Sequence, residues 1–334
     1  METEKRNFRP NALVVDRTES GMKLLRFLER RLSLPLVMLH RWLRTGQVRL
    51  NGGRVGAFTR VNSDDVVRLP PFASNMTDMA DSDGAGERGD VRPPPELTGH
   101  PPDVPGDFSY LSCIGRAGDI WALYKPPGLP THGGSRHRDS LAARLKARYA
   151  GLPFVPTPAH RLDKNTSGTL LVAASYFALQ QLHSALRERR VVKEYLAWAA
   201  GNRPFSGVRL LRHYLRKEEN AGFEKMRVLT EQAGEQDKNV LSREALCLVR
   251  YVRSAPDADL LQIRLLTGRT HQIRAQLAAC GYPLLGDVKY GGGKGPMRLH
   301  ALRVIVPAVA GFVCPPPWRG KHAIPDLSEV MPIF

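Results

Sequence analysis

PAHRLDKNTSGTLLVAAS, residues 158–175, sets a polar, turn-prone stretch against an apolar run. Asp163, Lys164, Asn165, Thr166, Ser167 and Gly168 carry side chains that favour a turn, and the Leu, Val and Ala residues after them read as a strand. Arg161 stands two residues before Asp163, so in extended chain their side chains share a face. A carboxylate beside a guanidinium stays ionised and can act as base or nucleophile at an anomeric carbon. It can equally cap the turn and pair with Arg161, and these residues alone leave both roles open.

Working outward, DIWALYKPPG (119–128) reads as a strand and DSLAARLKARYAG (139–151) as a helix. YFALQQLHSALRERR (176–190) is helical, VVKEYLAWAAG (191–201) and ADLLQIRLLTG (258–268) are strands, RTHQIRAQLAACG (269–281) is a helix and LHALRVIVP (299–307) a strand. Strands and helices interleave without strict βαβ order. The expected fold is α+β: a mixed, largely antiparallel sheet flanked by helices.

Upstream lies a smaller unit at 13–70. GMKLLRFLERRLS (21–33) spaces Leu24, Leu25, Phe27, Leu28 and Leu32 for a helix, and 34–46 reads as a second helix closed by Gly46. QVRLNGGRV then supplies a strand, an Asn-Gly-Gly turn and a second strand, and VNSDDVVRLP closes a small sheet. This hairpin would gather Arg41, Arg44, Arg49 and Arg54 around one corner, as an anion-binding surface or as a solvated basic face. Gly21, Phe27, Leu28, Leu43, Arg44, Gly46, Val48, Asn51 and Gly52 resemble the small α/β RNA-binding module named after ribosomal protein S-four. Lys23 and Leu25 depart from that module's usual Arg and Asp. The resemblance implies that the helix pair and hairpin grip RNA backbone.

The two folded regions, 13–70 and 108–334, are separated by residues 71–107, which are crowded with Pro, Gly, Asp and Ser and read as a flexible acidic linker. The formal charge of +17 is split accordingly. Residues 1–70 hold 14 Lys/Arg against 7 Asp/Glu, residues 71–107 hold 2 against 8, and residues 108–334 hold 33 against 17. Two basic regions favour a polyanionic partner, because each neutralised phosphate releases counterions. No apolar run approaches the roughly 20 residues that span a bilayer. The start, METEKRNFRP, is neither a secretory signal nor a transit peptide, so a cytoplasmic protein is expected. Cys113, Cys247, Cys280 and Cys314 share no metal-type spacing, which speaks against a zinc site or a disulfide framework.

A second polar cluster, LLTGRTHQIRAQLAACGYPLLGDVKYGG (265–292), ends a strand at Gly268, places Thr270 to cap a helix, and points Ile273 and Leu277 to the core. Arg269, His271 and Arg274 lie at that helix start, where an anion could bind, although His271 reads equally as a structural hydrogen-bonding residue. Asp287 fits a turn beside Gly286. Gly291–Gly293 before Lys294 lack the Ser or Thr of a phosphate loop, which excludes a nucleoside-triphosphatase reading. By pattern, Tyr195 is a core residue with a bonded hydroxyl.

Taken in order, DIWALYKPPGLPTH, HRLDKNTSG (160–168), KEYLA, TGRTHQIRAQLAACGYPLLGDVKYGG and LHA (299–301) closely resemble the RluA-type branch of pseudouridine synthases. The likeness runs from about Ile114 to Leu302. It implies a central catalytic cleft, Asp163 as the catalytic carboxylate, and Arg161 entering the space of a flipped-out nucleotide. It implies Tyr195 stacking on the base and a basic residue paired to the aspartate, for which Arg274 is favoured over Arg269. No metal or organic cofactor is implied, since the reaction is an isomerisation. The expected partner is RNA, first of all large-subunit ribosomal RNA, with no membrane and no obligate protein partner. Two rival readings are an inactive RNA-binding protein of ribosome assembly and a synthase acting on transfer RNA. A carboxylate-pair glycosidase would need a second positioned carboxylate, and none accompanies Asp163 in these motifs.

Overall fold

The computed structural model describes residues 11–32, 34, 36–70, 73, 112–133, 139–150, 152–201, 207–220, 223–229 and 242–330. The stretch read as a linker lies, Ala73 apart, outside the described residues. Two units divide the chain: Met1–Glu96 with Tyr149–Pro156 and Ala174–Gln180, and Leu97–Arg148 with Thr157–Ala173 and Gln181–Phe334.

In the first unit, α1 (Leu24–Arg31) buries Leu24, Phe27 and Leu28, and α2 (Leu36–Arg44) buries Leu39, Trp42 and Leu43, the spacing of one helical face. Helix α1 starts at Leu24, the first residue of its apolar pattern and three residues into the stretch 21–33, and the amides of Gly21, Leu24 and Leu25 donate to the carbonyls of Val61, Thr59 and Ala57. Gly46, at φ 71°, closes α2 by turning its own amide and that of Gln47 back to Leu43 and Trp42. Strands β1 (Ala12–Val14), β2 (Arg49–Leu50), β3 (Gly53–Arg54) and β4 (Val66–Arg68) form a sheet in the order β1-β4-β2-β3. Asn51 and Gly52, both at positive φ, make the two-residue hairpin turn.

The second unit is built on an eleven-stranded sheet. Its path, β11-β10-β12-β13-β9-β14-β8-β6-β5, uses β5 (Cys113–Ala117), β6 (Ile120–Lys125), β8 (Ser167–Ala173), β9 (Val192–Ala199), β10 (Val208–Asn220), β11 (Phe223–Leu229), β12 (Arg243–Ala255), β13 (Ala258–Leu265) and β14 (Leu299–Val306). Strand β7 (Thr157–Pro158) adds to β8, and β15 (Ala310–Val313) to β14. Every pairing is antiparallel except β8 with β14, which meet at two residues, Ser167 with His300 and Gly168 with Ala301. The α+β expectation therefore holds.

Strand β8 is buried along its whole length, so its apolar run has no alternation to show. Strands β9 and β14, with Leu260 of β13, pack against Trp318, Ile324 and Val330, and the Trp198 indole donates to the His322 carbonyl at 3.0 Å. Helix α5 (Gln272–Ala279) packs on β10–β12, where Gln276 Nε2 donates to the carbonyls of Leu211 and Ala245. Helices α3 (Leu141–Arg148) and α4 (Tyr176–Arg187) complete the helix set among the described residues. No described helix is long and apolar enough to cross a membrane.

Candidate active site

Asp163 sits in the loop between β7 and β8, where the sheet narrows to the two-residue pairing with β14. Gly168, at φ 114°, is required there, because a Cβ would stand 2.3 Å from the Ala301 carbonyl oxygen. The loop is tied down from below. The buried Lys125 ammonium donates to the carbonyls of Pro126 (2.7 Å), Leu129 (2.8 Å) and Lys164 (3.1 Å). Burial pulls its pKa down to about 7, against the opposing pull of Asp163. The Thr131 hydroxyl donates to the Leu162 carbonyl and accepts from the Leu162 amide, clamping the residue before Asp163 from both sides. Ser167, at the start of β8, lies 2.8 Å from His300 Nδ1, while His300 Nε2 meets the Cys314 carbonyl. A carbonyl can only accept, so Nε2 carries the proton and Ser167 donates.

Across the cleft, α5 delivers Arg274. Its Nη1 donates to Asp163 Oδ2 at 3.1 Å, and its Nε and Nη2 donate to the two oxygens of Asp287 at 2.7 and 2.8 Å. Burial works against the charge of this guanidinium, but the hydrogen bonds and charges of Asp287 and Asp163 prevail and raise its pKa. His271 is held at φ 52°, with Nδ1 3.2 Å from the Tyr290 hydroxyl and Nε2 3.9 Å from Asp163 Oδ2. The Tyr290 hydroxyl also accepts from the Met226 amide at 2.9 Å, which fixes it beside His271. Burial lowers the His271 pKa, as does Arg274, in opposition to Asp163.

The cleft encloses about 250 Å³ and is lined by His160, Arg161, Asp163, Lys193, Tyr195, Arg269, His271 and Arg274 among others. All the expected residues of this domain, Asp163, Arg161, Tyr195, Arg269, His271 and Arg274, thus meet in one place. Tyr195 reaches the cleft from the buried strand β9, and burial, then the charge of Asp163, push its pKa up. Arg161 is exposed on the cleft wall, and the guanidinium beside Asp163 is Arg274, 111 residues away in sequence, instead of Arg161. Two local readings are corrected. Asp287 does more than shape a turn, for it is 2 % exposed and anchors Arg274. The residue before α5 is His271, without a side-chain cap, and Gln272 Oε1 takes the capping work by accepting from the Arg269 amide and the Thr267 hydroxyl. Thr270 is displaced because the left-handed turn at His271 starts the helix one residue later. The GD pair at 286–287 was the one sequence signal for Asp287.

In the first unit, Arg41, Arg44, Arg49 and Arg54 are exposed. Arg54 Nη2 donates to the Arg44 carbonyl at 2.8 Å and Arg49 Nε to the Gly46 carbonyl at 3.1 Å. Arg49 lies in register with both Arg54 and Arg68. Like charges placed opposite one another on a sheet are destabilising unless an anion joins them.

A carboxylate gripped by a buried guanidinium, with a tyrosine beside it, lies inside the span 119–279 that matches the family model for RNA pseudouridylate synthase. The chain belongs to that family and is an RNA pseudouridine synthase, an isomerase. It is 30% identical over 285 residues to ribosomal large subunit pseudouridine synthase C of Haemophilus influenzae, covering 84% of this chain and 78% of the relative. The Escherichia coli K12 protein of the same name is 30% identical over 87% of this chain and 82% of its own length. Among solved structures, human RNA Pseudouridylate Synthase Domain Containing 1 superposes with a TM-score of 0.54 at 26% identity, over 64% of this chain and 87% of that one.

Proposed function

We propose that this synthase converts uridines of large-subunit ribosomal RNA to pseudouridine in the cytoplasm, with Asp163 as the catalytic carboxylate. The observation that carries the assignment is the seating of Asp163 in the cleft on Arg274, itself fixed by Asp287. The target nucleotide turns out of its helix, which costs least where it is already unpaired. Arg161, on the cleft wall, enters the space the nucleotide leaves, and Tyr195 stacks on the uracil. Asp163 acts at the ribose, the bond from C1′ to N1 breaks, the base turns, and C5 bonds to C1′. N1 ends protonated and the C5 proton leaves to solvent, so the product is an isomer. Arg269 and His271 contact the strand at the cleft rim. Arg41, Arg44, Arg49 and Arg54 hold more distant RNA backbone in an S-four-like module spanning 13–70, joined by the acidic segment 71–107 to the catalytic region 108–334. The relatives' names and the charge of +17 support ribosomal RNA as the substrate.

Tritium release tests this. Ribosomal RNA labelled at uracil C5, taken from cells lacking the enzyme, should lose label to water with wild type and keep it with Asp163→Asn. Release from transfer RNA alone would move the substrate; release by both proteins would remove Asp163 from the chemistry.

A further inference from the structure

Among the described residues that line the cleft, Asp163 is the one carboxylate, beside Arg161, Lys193, Arg269 and Arg274. Lys193, on β9, is half-buried, and its ammonium lies 3.2 Å from where a Cβ on Gly268 would stand. A side chain at Gly268 would crowd the ammonium, and both residues line the cleft. The Gly268–Arg269 loop is fixed in place: Gln272 Oε1 accepts from the Arg269 amide and the Thr267 hydroxyl, and Arg269 Nε donates to the Glu244 carbonyl at 2.9 Å. The nearby carboxylates are committed elsewhere. Asp163 is held by Arg274, Glu194 by Arg303 and Glu244 by Arg212. Among the described residues no carboxylate pairs with Lys193.

Crowding adds to this picture. Burial lowers the pKa of Lys193 and of Arg269, and the latter is lowered further by the charges of Arg189 and Arg243. Residues 189 and 193 lie four apart and 243 and 269 come from two further stretches of chain, so the convergence of the three stretches is a product of the fold. Glu244 alone opposes this crowding at Arg269, and it is shared with Arg212. Gathering cations out of water with so little counter-charge is unfavourable in the free protein, and a bound anion reverses the sign.

We infer that Lys193 and Arg269, with the open backbone of Gly268 between them, form a seat for one backbone phosphate of the RNA strand next to the target uridine. A compact ammonium and a forked guanidinium suit a phosphodiester oxygen pair, whereas the uracil ring has its place at Tyr195. Arg189 and Arg243 continue the same track outside the cleft. The inference rests on the proposed action on RNA and adds the contact that sets which linkage is gripped.

The test is a binding cycle. A short RNA hairpin with one uridine in its loop is made in a series, each loop linkage replaced in turn by an uncharged methylphosphonate. Lys193→Gln should weaken binding to the unmodified hairpin roughly tenfold and lower the slope of log K against log salt by about 1. One methylphosphonate should weaken the wild type to the same degree, and at that linkage Lys193→Gln should lose little more, while losses at other linkages add. Arg269→Gln should single out the same linkage. Lys193→Arg should keep most of the affinity, which separates the loss of charge from a folding defect. Additive losses at every linkage, or unchanged binding by Lys193→Gln, would overturn the seat. Because this readout is equilibrium binding, it decides the seat even where tritium release fails and the substrate reading falls.

Discussion

Arg274 reaches Asp163 with a single nitrogen, Nη1 at 3.1 Å, and spends its other two contacts on Asp287. The guanidinium is thus a rigid spacer, fixed by Asp287, that presents one N–H to Oδ2 of the cleft-lining Asp163.

Asp163→Asn should abolish turnover while leaving RNA affinity close to wild type, because the amide keeps the shape and loses the basic oxygen. A single-turnover rate lower by at least about a thousandfold is expected. Measurable turnover at a tenth of the wild-type rate would mean the reaction runs on another group.

Asp287→Asn breaks a buried, two-pronged pair and should destabilise the fold by about 3–5 kcal/mol, measured by urea unfolding. It should lower kcat more than it raises KM, since Asp287 touches Arg274 and not the RNA. Arg274→Lys keeps the charge but cannot span both carboxylates, and should show the same split. A KM effect alone would place both residues in RNA binding.

Tyr195→Phe should be milder than Tyr195→Ala if the ring acts by stacking. Burial holds the phenol protonated well past neutrality, so the hydroxyl is no base at working pH. Equal losses in the two variants, in single-turnover assays, would shift the role to the hydroxyl.

Stability should fall in mild acid through His300. Burial holds its pKa at about 4, below the ordinary 6.5. The unfolded chain binds a proton that the native chain refuses, so this contribution is whole above pH 6.5 and is lost as pH falls toward 4. The slope is on the order of 1.4 kcal/mol per pH unit in that window. His300→Gln, which can still accept from Ser167 and donate to Cys314, should flatten the slope in urea titrations; an unchanged slope would assign the acid sensitivity to other groups.

Replacing Arg49, Arg54 and Arg68 together by glutamine should reduce the slope of log K against log salt for ribosomal RNA by about 2, with kcat on a short hairpin unchanged. No change in slope would make the first unit a passenger in RNA binding.

Strands β6, β8, β9, β13 and β14 and helices α3, α4 and α5 were legible because their apolar runs and polar turns differ in period, whereas β5, β7, β10, β11, β12 and β15 were not read. The Asn51–Gly52 hairpin was legible because such residues accept positive φ at both positions. Helix starts were less legible. Leu24 and not Gly21 opens α1, where the amides of Gly21, Leu24 and Leu25 are taken by loop carbonyls between residues 57 and 61, and the left-handed turn at His271 displaces Thr270. The approach of Lys193 to Gly268, 75 residues away, has no signal in either local stretch.

By itself, the sequence determined what lies within a few residues: the turn at Asp163, the period of each element, the basic charge, and motifs specific enough to name a family. Tertiary structure decided which charges face one another. Asp163 lies nearer in sequence to Arg161 than to Arg274, yet it pairs with the latter, because burial makes a paired, fixed guanidinium far more consequential than an exposed neighbour. Pairing across 111 residues depends on how β8 and α5 are brought together, and no local pattern encodes that distance.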